Sequence, residues 1–439
     1  QALGSGIAGD DQERTFFSQE FQVTGTAFDN TLDYTVGVFY SSEEIDNNLG
    51  GVVTGPGGWL GVPLGEQVLP LLEGARSITL NDYENSSLAA FSQLNFHLSD
   101  MWQVTLGARY TYEEKESSQE DYDSQTPSPG LLTREAFDEL EDFLQDYTLT
   151  DTQVAKDEWT EFSPALTVSM LFPEEWHSET LSDGMLYLSG AGGFKAGGFA
   201  PFVDEQLTAF EPETLWTYEL GFKLDLWGQR ARLNGAFYYS EYDDMQLNVT
   251  RTDFSVQPPA TDDGIINAGE AKITGAEMEL SFLPVEGLFV GFAASYTDPQ
   301  YDEFFDEDSG GNALDRSDED FPFIPERTFS IVAQYDWQTE FGLITPRISG
   351  QYIDEIYIGL DASAVAYDQA YLDDRTTWNI RLGWQVEPLS ENLEVAAYVM
   401  NLTDEEYFSS GLITADAIGA MSLIPGKQRT WGMTARYAW

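Results

Sequence analysis

Apolar and polar residues alternate with a period of two along most of this chain. In TLWTYELGFKLDL (214–226), Trp216, Tyr218, Leu220, Phe222 and Leu224 fall on one parity, and Thr217, Glu219, Gly221 and Lys223 on the other. MWQVTLGARYTY (101–112) sets Trp102, Val104, Leu106, Ala108, Tyr110 and Tyr112 against Gln103, Thr105, Gly107, Arg109 and Thr111. TTWNIRLGW, LFVGFAASY and MELSF repeat the pattern. The closing TWGMTARYAW keeps it to the last residue, with Trp431, Met433, Ala435, Tyr437 and Trp439 on one parity. This is the period of strands with one apolar and one polar face.

The pattern predicts about fifteen strands, near 14–25, 32–43, 83–98, 101–114, 158–171, 184–194, 214–226, 230–250, 265–283, 287–299, 323–337, 343–357, 374–387, 393–408 and 427–439. The links between them alternate in length. AFDN, SDM, WGQR, PVEG, TEFG and PLSEN are short and carry turn residues, and FPEEWHSETLSDG is a longer link on the same side. Segments 44–82, 115–157, 195–213, 251–264, 300–322, 358–373 and 409–426 are long. In an up-and-down meander this puts tight turns at one rim and long loops at the other, the asymmetry of outer-membrane barrels. One amphipathic helix is predicted within 115–157, where TREAFDELEDFLQDY aligns Ala136, Leu140, Phe143 and Leu144.

The width of such a barrel decides what each face meets. About fifteen strands enclose an interior too wide for side chains to fill. The Gly- and Thr-rich parity must then line a wet lumen and the aromatic parity must meet lipid. An open edge is not tolerated in hydrocarbon, so the barrel is expected to close, the last strand pairing with the first. The odd count and the direction of the first strand predict further strands before residue 1; a complete smaller barrel, miscounted by one strand, is the alternative. The first residues lack an initiating Met and a leader-like apolar core, which fits either a removed leader or a piece of a longer chain.

Charge and composition narrow the partners. With 76 acidic against 20 basic residues the chain carries a formal charge of -56, which disfavours nucleic acid as a partner. Aromatics at 14% argue against disorder. There is no cysteine, and the only histidines are His97 and His177. That removes disulfides, thiolate chemistry and most histidine-based catalysis, so no enzymatic activity and no cofactor are expected. No run of about 18 apolar residues forms a transmembrane helix. The acid excess fits a high-salt habitat or attraction of cationic ligands; both stay open.

LYLSGAGGFKAGGF (186–199), ETLWTYELGFK with LNGAFYYSEYDDMQ (213–246), NAGEAKITGAEMEL (267–280), YVMNLTDEEYF (398–408) and the closing RTWGMTARYAW together resemble the C-terminal barrel of TonB-dependent outer-membrane receptors. The resemblance covers nearly the whole of 1–439, a partial barrel domain. It implies an all-β transmembrane antiparallel barrel of about 22 strands, of which this chain would hold the last fifteen, without plug and first strands. It implies a monomer in the outer membrane of a Gram-negative bacterium, in contact with lipid and lipopolysaccharide and energised by the TonB complex through the plug. The implied cargo is a scarce small ligand: a ferric siderophore or other iron complex first, with haem, cobalamin or an oligosaccharide as other classes. It also implies that Tyr437 and Trp439 form a terminal signal for the barrel-assembly machinery. A passive porin or substrate-specific channel is the rival.

Several residues are candidates for contacting a ligand. Arg109 lies on the lumen parity toward the long-loop end. Lys195 sits in GFKAGGF (193–199), which lacks the GK[ST] ending of a phosphate loop and reads as a strand entering a loop. Tyr242 and Tyr301 are aromatics near the outer rim, able to stack on a ligand or to serve as girdle residues. In FFDEDSGGNALDRSDED (304–320), Asp306, Asp308 and Asn312 have spacing partly like a calcium loop, but Ser317 stands where a bidentate Glu belongs. A solvated acidic loop is the simpler interpretation, and no metal site is assigned.

Overall fold

The computed structural model describes residues 4–54, 76–124, 148–202, 206–253, 260–267, 269–307, 313–359, 370–387, 390, 392–415 and 420–438. Its main sheet has sixteen strands; one short strand, Trp337–Thr339, lies off the path, leaving fifteen in sequence. They are β1 Gly4–Ala27, β2 Leu32–Thr54, β3 Arg76–His97, β4 Trp102–Ser124, β5 Thr148–Leu171, β6 Leu181–Lys195, β7 Glu213–Leu226, β8 Ala231–Asp243, β9 Ala271–Phe282, β10 Leu288–Tyr301, β11 Arg327–Tyr335, β12 Gly342–Ile353, β13 Arg375–Gln385, β14 Leu393–Met400 and β15 Thr430–Tyr437. Each pairs antiparallel with the next. This is the predicted all-β meander with fifteen crossing strands. Among the described residues no helix is long and apolar enough to cross a membrane.

The two faces show which solvent each was built for. Trp102, Leu106, Tyr110, Phe162, Leu188, Leu220, Phe237, Ile331 and Leu382, all of the apolar parity, are exposed. On the opposite parity Ser87, Thr111, Ser117, Gln119 and Ser240 are buried. A water-soluble fold does the reverse. Polar side chains inside and a continuous apolar outside are the pattern of a barrel wall in lipid.

Strands β1 to β5 run 22 to 24 residues, about twice the 9–11 that cross a bilayer and far longer than their hydropathy pattern indicated. Alternation alone places the extra length in the long links, because its outward face is no longer apolar. Above Tyr112 that face carries acids in cross-strand rows: Glu44 pairs with Glu84, Glu84 with Glu116, and Glu116 with Lys156. Lys156 Nζ lies 2.9 Å from Glu114 and 3.4 Å from Glu116. Backbone hydrogen bonds continue the ladder where both faces are wet, so period-two hydropathy loses the strand while the strand itself persists. Part of the acid excess is placed here.

Two further expectations are revised. The predicted strand 230–250 is two elements, β8 and the loop strand Gln246–Asp253, separated at Asp244 with φ +54°. The predicted 265–283 likewise splits into Ala260–Asn267 and β9, with Gly269 at φ +118°; a Cβ there would strike the Glu303 carbonyl. Closure is not detected. Among the described residues β1 and β15 do not pair, and the path simply begins at one and ends at the other. In a meander of fifteen strands the first and last point the same way, so the antiparallel ladder that joins every neighbour cannot join these two. Trp431 and Met433 on β15 are accordingly 81% and 72% exposed. The predicted helix within 115–157 and Trp439 lie outside the described residues.

The link pattern holds. Turn 28–31 uses left-handed φ at Phe28, Asp29 and Asn30, a conformation Asp and Asn tolerate well. Link 172–180 contains a single 3-10 turn, Glu174–Trp176. On the other rim the links fold into hairpins of their own: Gly198–Phe202 with Gln206–Phe210, Gln246–Asp253 with Ala260–Asn267, Phe305–Glu307 with Ala313–Asp315, Ile356–Tyr357 with Tyr371–Leu372, and Phe408–Ala415 with Ala420–Pro425.

Candidate functional site

The polar face and the hairpins above it hold the chemistry. Arg109 points with the polar parity of β4. Its Nε donates to Thr111 Oγ1 at 3.0 Å, and its guanidinium lies 5.4 Å from the Phe39 ring centroid. Among the described residues it makes no ion pair, so its charge is held by a hydroxyl and an aromatic face only. Lys195 ends β6 and is exposed.

Lys115 lies six residues beyond Arg109 on the same parity of β4. Its Nζ donates to the Gly197 carbonyl at 2.7 Å and sits 5.7 Å from the Trp159 ring centroid. It also lies within charge range of Lys195. Gly197 is needed for this approach, since a Cβ would meet the Phe210 carbonyl and, at 2.7 Å, the Trp159 ring. GFKAGGF therefore bends onto β5 so that the first hairpin docks on the polar-face wall. Trp159 tilts against Phe199 at 6.2 Å, and the Leu207 N–H donates to Gln153 Oε1 at 2.6 Å. Lys115 and Lys195 lie within charge range of each other at the long-loop end, and Arg109 lies six residues below Lys115 on the same face of β4. Lys115 carried no signal in sequence because it fell beyond the end of the apolar alternation, in a stretch assigned to a loop.

The second hairpin is tied to the first. Gln246 Nε2 donates to the carbonyls of Ala196 and Glu211, both at 3.0 Å, and Asn267 Nδ2 donates to those of Glu211 at 2.9 Å and Asp244 at 2.8 Å. Leu247 of this hairpin enters a buried knot with Ala271, Tyr301, Phe304 and Phe321, against which Tyr242 packs. Tyr301 stacks on Phe321 at 3.9 Å and tilts against Phe304 at 4.9 Å. The rings of Tyr242 and Tyr301 are thus engaged by the protein.

The third hairpin closes the knot with a buried ion pair. Arg316 Nη1 donates to Asp306 Oδ2 at 3.1 Å, its Nε and Nη2 donate to Glu319 at 2.8 Å, and its guanidinium lies 4.7 Å from the Phe304 centroid. Burial alone would lower the Arg316 pKa; the bonds to Glu319 and the Asp306 charge outweigh it and hold it above the ordinary value. Asp306, a candidate calcium ligand by spacing, instead turns its carboxylate to an arginine. Asp308 and Asn312 lie outside the described residues, and no metal-holding cluster occurs among the described ones.

The motif NLTDEEYF also receives a physical account. Asn401, 4% exposed and at φ +50°, receives the Glu405 N–H at 2.9 Å and donates to the carbonyls of Glu405 and Lys427, at 2.8 and 3.0 Å. It fastens the start of the last long link to its end. Lower on the polar wall Tyr187 and Tyr238 lie across Gly221 and Gly275, their direct cross-strand partners. Tyr187 donates to Glu219 at 2.5 Å.

A lipid-facing meander with folded hairpins over one rim of a polar interior defines a membrane β-barrel of the receptor type. Residues 3–402 match the family described as TonB dependent receptor-like, beta-barrel, and the chain belongs to that family. It is 24% identical over 336 residues to the pesticin receptor of Yersinia pestis, covering 75% of this chain and 41% of that protein. Among solved structures it resembles the ferric yersiniabactin uptake receptor of Yersinia pestis, with a TM-score of 0.68 and 20% identity, over 98% of this chain and 54% of that one. The siderophore receptor PiuA of Acinetobacter baumannii gives a TM-score of 0.66 and 15% identity, over 97% and 56%. The chain therefore spans about half the length of these relatives. Barrels of this family are outer-membrane proteins whose receptors bind small ligands and engage TonB.

Proposed function

We propose that this chain is the barrel part of an outer-membrane receptor that imports a scarce metal chelate, a ferric siderophore or similar iron complex, with energy delivered through TonB. The observation that carries the proposal is the set of hairpins folded against the polar wall, the first of which engages Lys115, with Lys195 within charge range of it, above Arg109 on the same face of β4. In a chain of net charge -56, such a basic region favours an anionic guest where the surroundings repel it. Arg109, Lys115 and Lys195 are assigned to the ligand, and Tyr242 and Tyr301 to the knot that supports the hairpins. Tyr437, on the apolar parity of β15 and 55% exposed, is assigned with Trp439 to recognition by the assembly machinery. The apolar belt meets outer-membrane lipid and lipopolysaccharide, and the receptor acts as a monomer.

The test is uptake of radioactive iron chelates by cells that carry the full-length protein as their sole receptor, with and without collapse of the inner-membrane proton gradient. Uptake that stops on collapse, and that falls in Arg109→Gln and Lys115→Gln, supports the proposal. A passive channel would continue to leak small solutes after collapse, and that result would replace the receptor with a porin.

A further inference from the structure

The outward face of β13 to β15 is not an even wall. On β14 its side chains are short: Val395, Ala397 and Val399. Ala397 has Leu382 of β13 and Met433 of β15 as its direct cross-strand partners, and Val399 has Ile380 and Trp431. A strand of short side chains therefore runs between two strands of long ones. The result is a furrow along β14, about 13 Å from Val395 to Val399 at the rise of an extended strand. Ala333 of β11, directly opposite Ile348 of β12, extends the low ground sideways. A concavity of about 800 Å³ lies here, over β10 to β15, and eleven of the sixteen residues around it are of the apolar parity. Leu382, Met433 and Trp431, its high walls, are exposed. A strand paired to the free edge of β15 would lie beside it in the sheet and leave Trp431 and Met433 standing on the same outward face.

The shape and height of the furrow select its occupant. This face meets hydrocarbon, and an unfilled gap would forfeit dispersion contacts on one side. A flat apolar wall offers a lipid chain no preferred place, whereas a furrow adds contact along both flanks, and the gain grows with the area buried. The flanking strands stand about 9.6 Å apart, two strand spacings, and their long side chains narrow the gap further. A helix about 10–12 Å across does not enter it; a single unbranched acyl chain does. Trp337, Ile344, Trp384 and Val395 form one cross-strand row at the short-turn end of the furrow. The Trp384 indole N–H is fixed on the Phe341 carbonyl at 2.9 Å, and such indoles mark the membrane interface. The furrow thus opens at headgroup level on the short-turn side and runs inward over about half of a belt roughly 25 Å tall. That is the leaflet facing the periplasm, which in an outer membrane is phospholipid.

We propose that the furrow along β14 is a seat for one acyl chain of a phospholipid from the periplasm-facing leaflet, held between Ile380 and Leu382 on one flank and Trp431 and Met433 on the other. The seat depends on the lipid-facing assignment of this wall and not on the cargo, so it stands or falls separately from the uptake experiment.

The full-length protein in detergent micelles is irradiated with a trace of phosphatidylethanolamine carrying a diazirine on one acyl chain, and cross-linked peptides are identified by mass spectrometry. Cross-links to 395–399 and 431–433 should exceed those to the apolar wall at Leu188, Leu220 and Phe237. They should fall about tenfold in Ala397→Phe, which fills the furrow and removes the burial of about two methylene groups, while the yield at the other wall is unchanged. Unlabelled phosphatidylethanolamine should compete, and lipopolysaccharide at equal chain concentration should not. Yields that do not respond to Ala397→Phe, or that lipopolysaccharide suppresses better than phospholipid, overturn the proposal. Dimers seen by light scattering that dissociate in Ala397→Phe would give the face to a second copy of the chain and overturn it as well. Heat-dependent gel mobility verifies that the variant folds. If it fails that check, Ala397→Leu carries the same comparison, with a smaller loss expected.

Discussion

Phe304→Ala tests whether the loop knot is a unit that holds the hairpins in place. Phe304 is fully buried, at 0% exposure. Its ring touches Tyr301 and carries the Arg316 guanidinium at 4.7 Å. Truncating a buried Phe costs about 3–5 kcal/mol through lost transfer energy and the cavity left behind. The Arg316 stacking belongs to the same loss, since a desolvated cation–π contact is worth about 2 kcal/mol. The knot lies at the rim, where Ala271 and Tyr301 form the last pair of β9 and β10, so the cost should appear as local opening. At about 1.4 kcal/mol per factor of ten, opening becomes roughly 10²–10³ times more frequent. Hydrogen exchange reads this directly. The Arg316 amide, bonded to the Phe304 carbonyl at 2.8 Å, and the Glu270 amide, bonded to the Glu303 carbonyl at 3.1 Å, should lose protection by that factor. Amides in the middle of β4 and β5 should not change. Phe305→Ala, at a residue 54% exposed, should stay within about 0.5 kcal/mol. Unchanged protection at Arg316, or equal loss throughout β4 and β5, would refute a separately opening knot.

Other expectations rest on single contacts. Gly221→Val should destabilise the wall by about 1–3 kcal/mol, because its side chain enters the space of the Tyr187 ring; Tyr187→Ala in the same chain should recover heat-stable gel mobility, and failure to do so would place the strain elsewhere. Lys115→Met removes the donor to the Gly197 carbonyl and leaves that oxygen short of a partner at a cost of about 1–3 kcal/mol. Protease should then cut within 198–210 faster than in the parent protein, while the 408–425 hairpin keeps its rate. Because Asp306 is already paired with Arg316, calcium and a chelator should leave the thermal midpoint of the 305–320 region unchanged, and a calcium-dependent rise would reinstate a metal site.

The sequence by itself determined the solvent of each face and the order of the strands. Trp216, Tyr218, Leu220 and Phe222 cannot share a face with Glu219 and Lys223, so alternation plus the rhythm of short and long links left little room for another topology. It was blind where that contrast ends. Above Tyr112 both faces of β4 are polar, and Lys115 dropped out of view although its backbone stays in the ladder. The splits at Asp244 and Gly269 were hidden for the converse reason, since residues on both sides of each break alternate well. Only tertiary structure brought Gly197 under Lys115 and Trp159, turned Asp306 to Arg316, and set Arg347 beside Arg381 with Arg436 two strands away. Hydropathy is a property of neighbours along the chain, whereas these contacts depend on cross-strand register and on how loops fold back, which are fixed by residues tens to hundreds of positions apart.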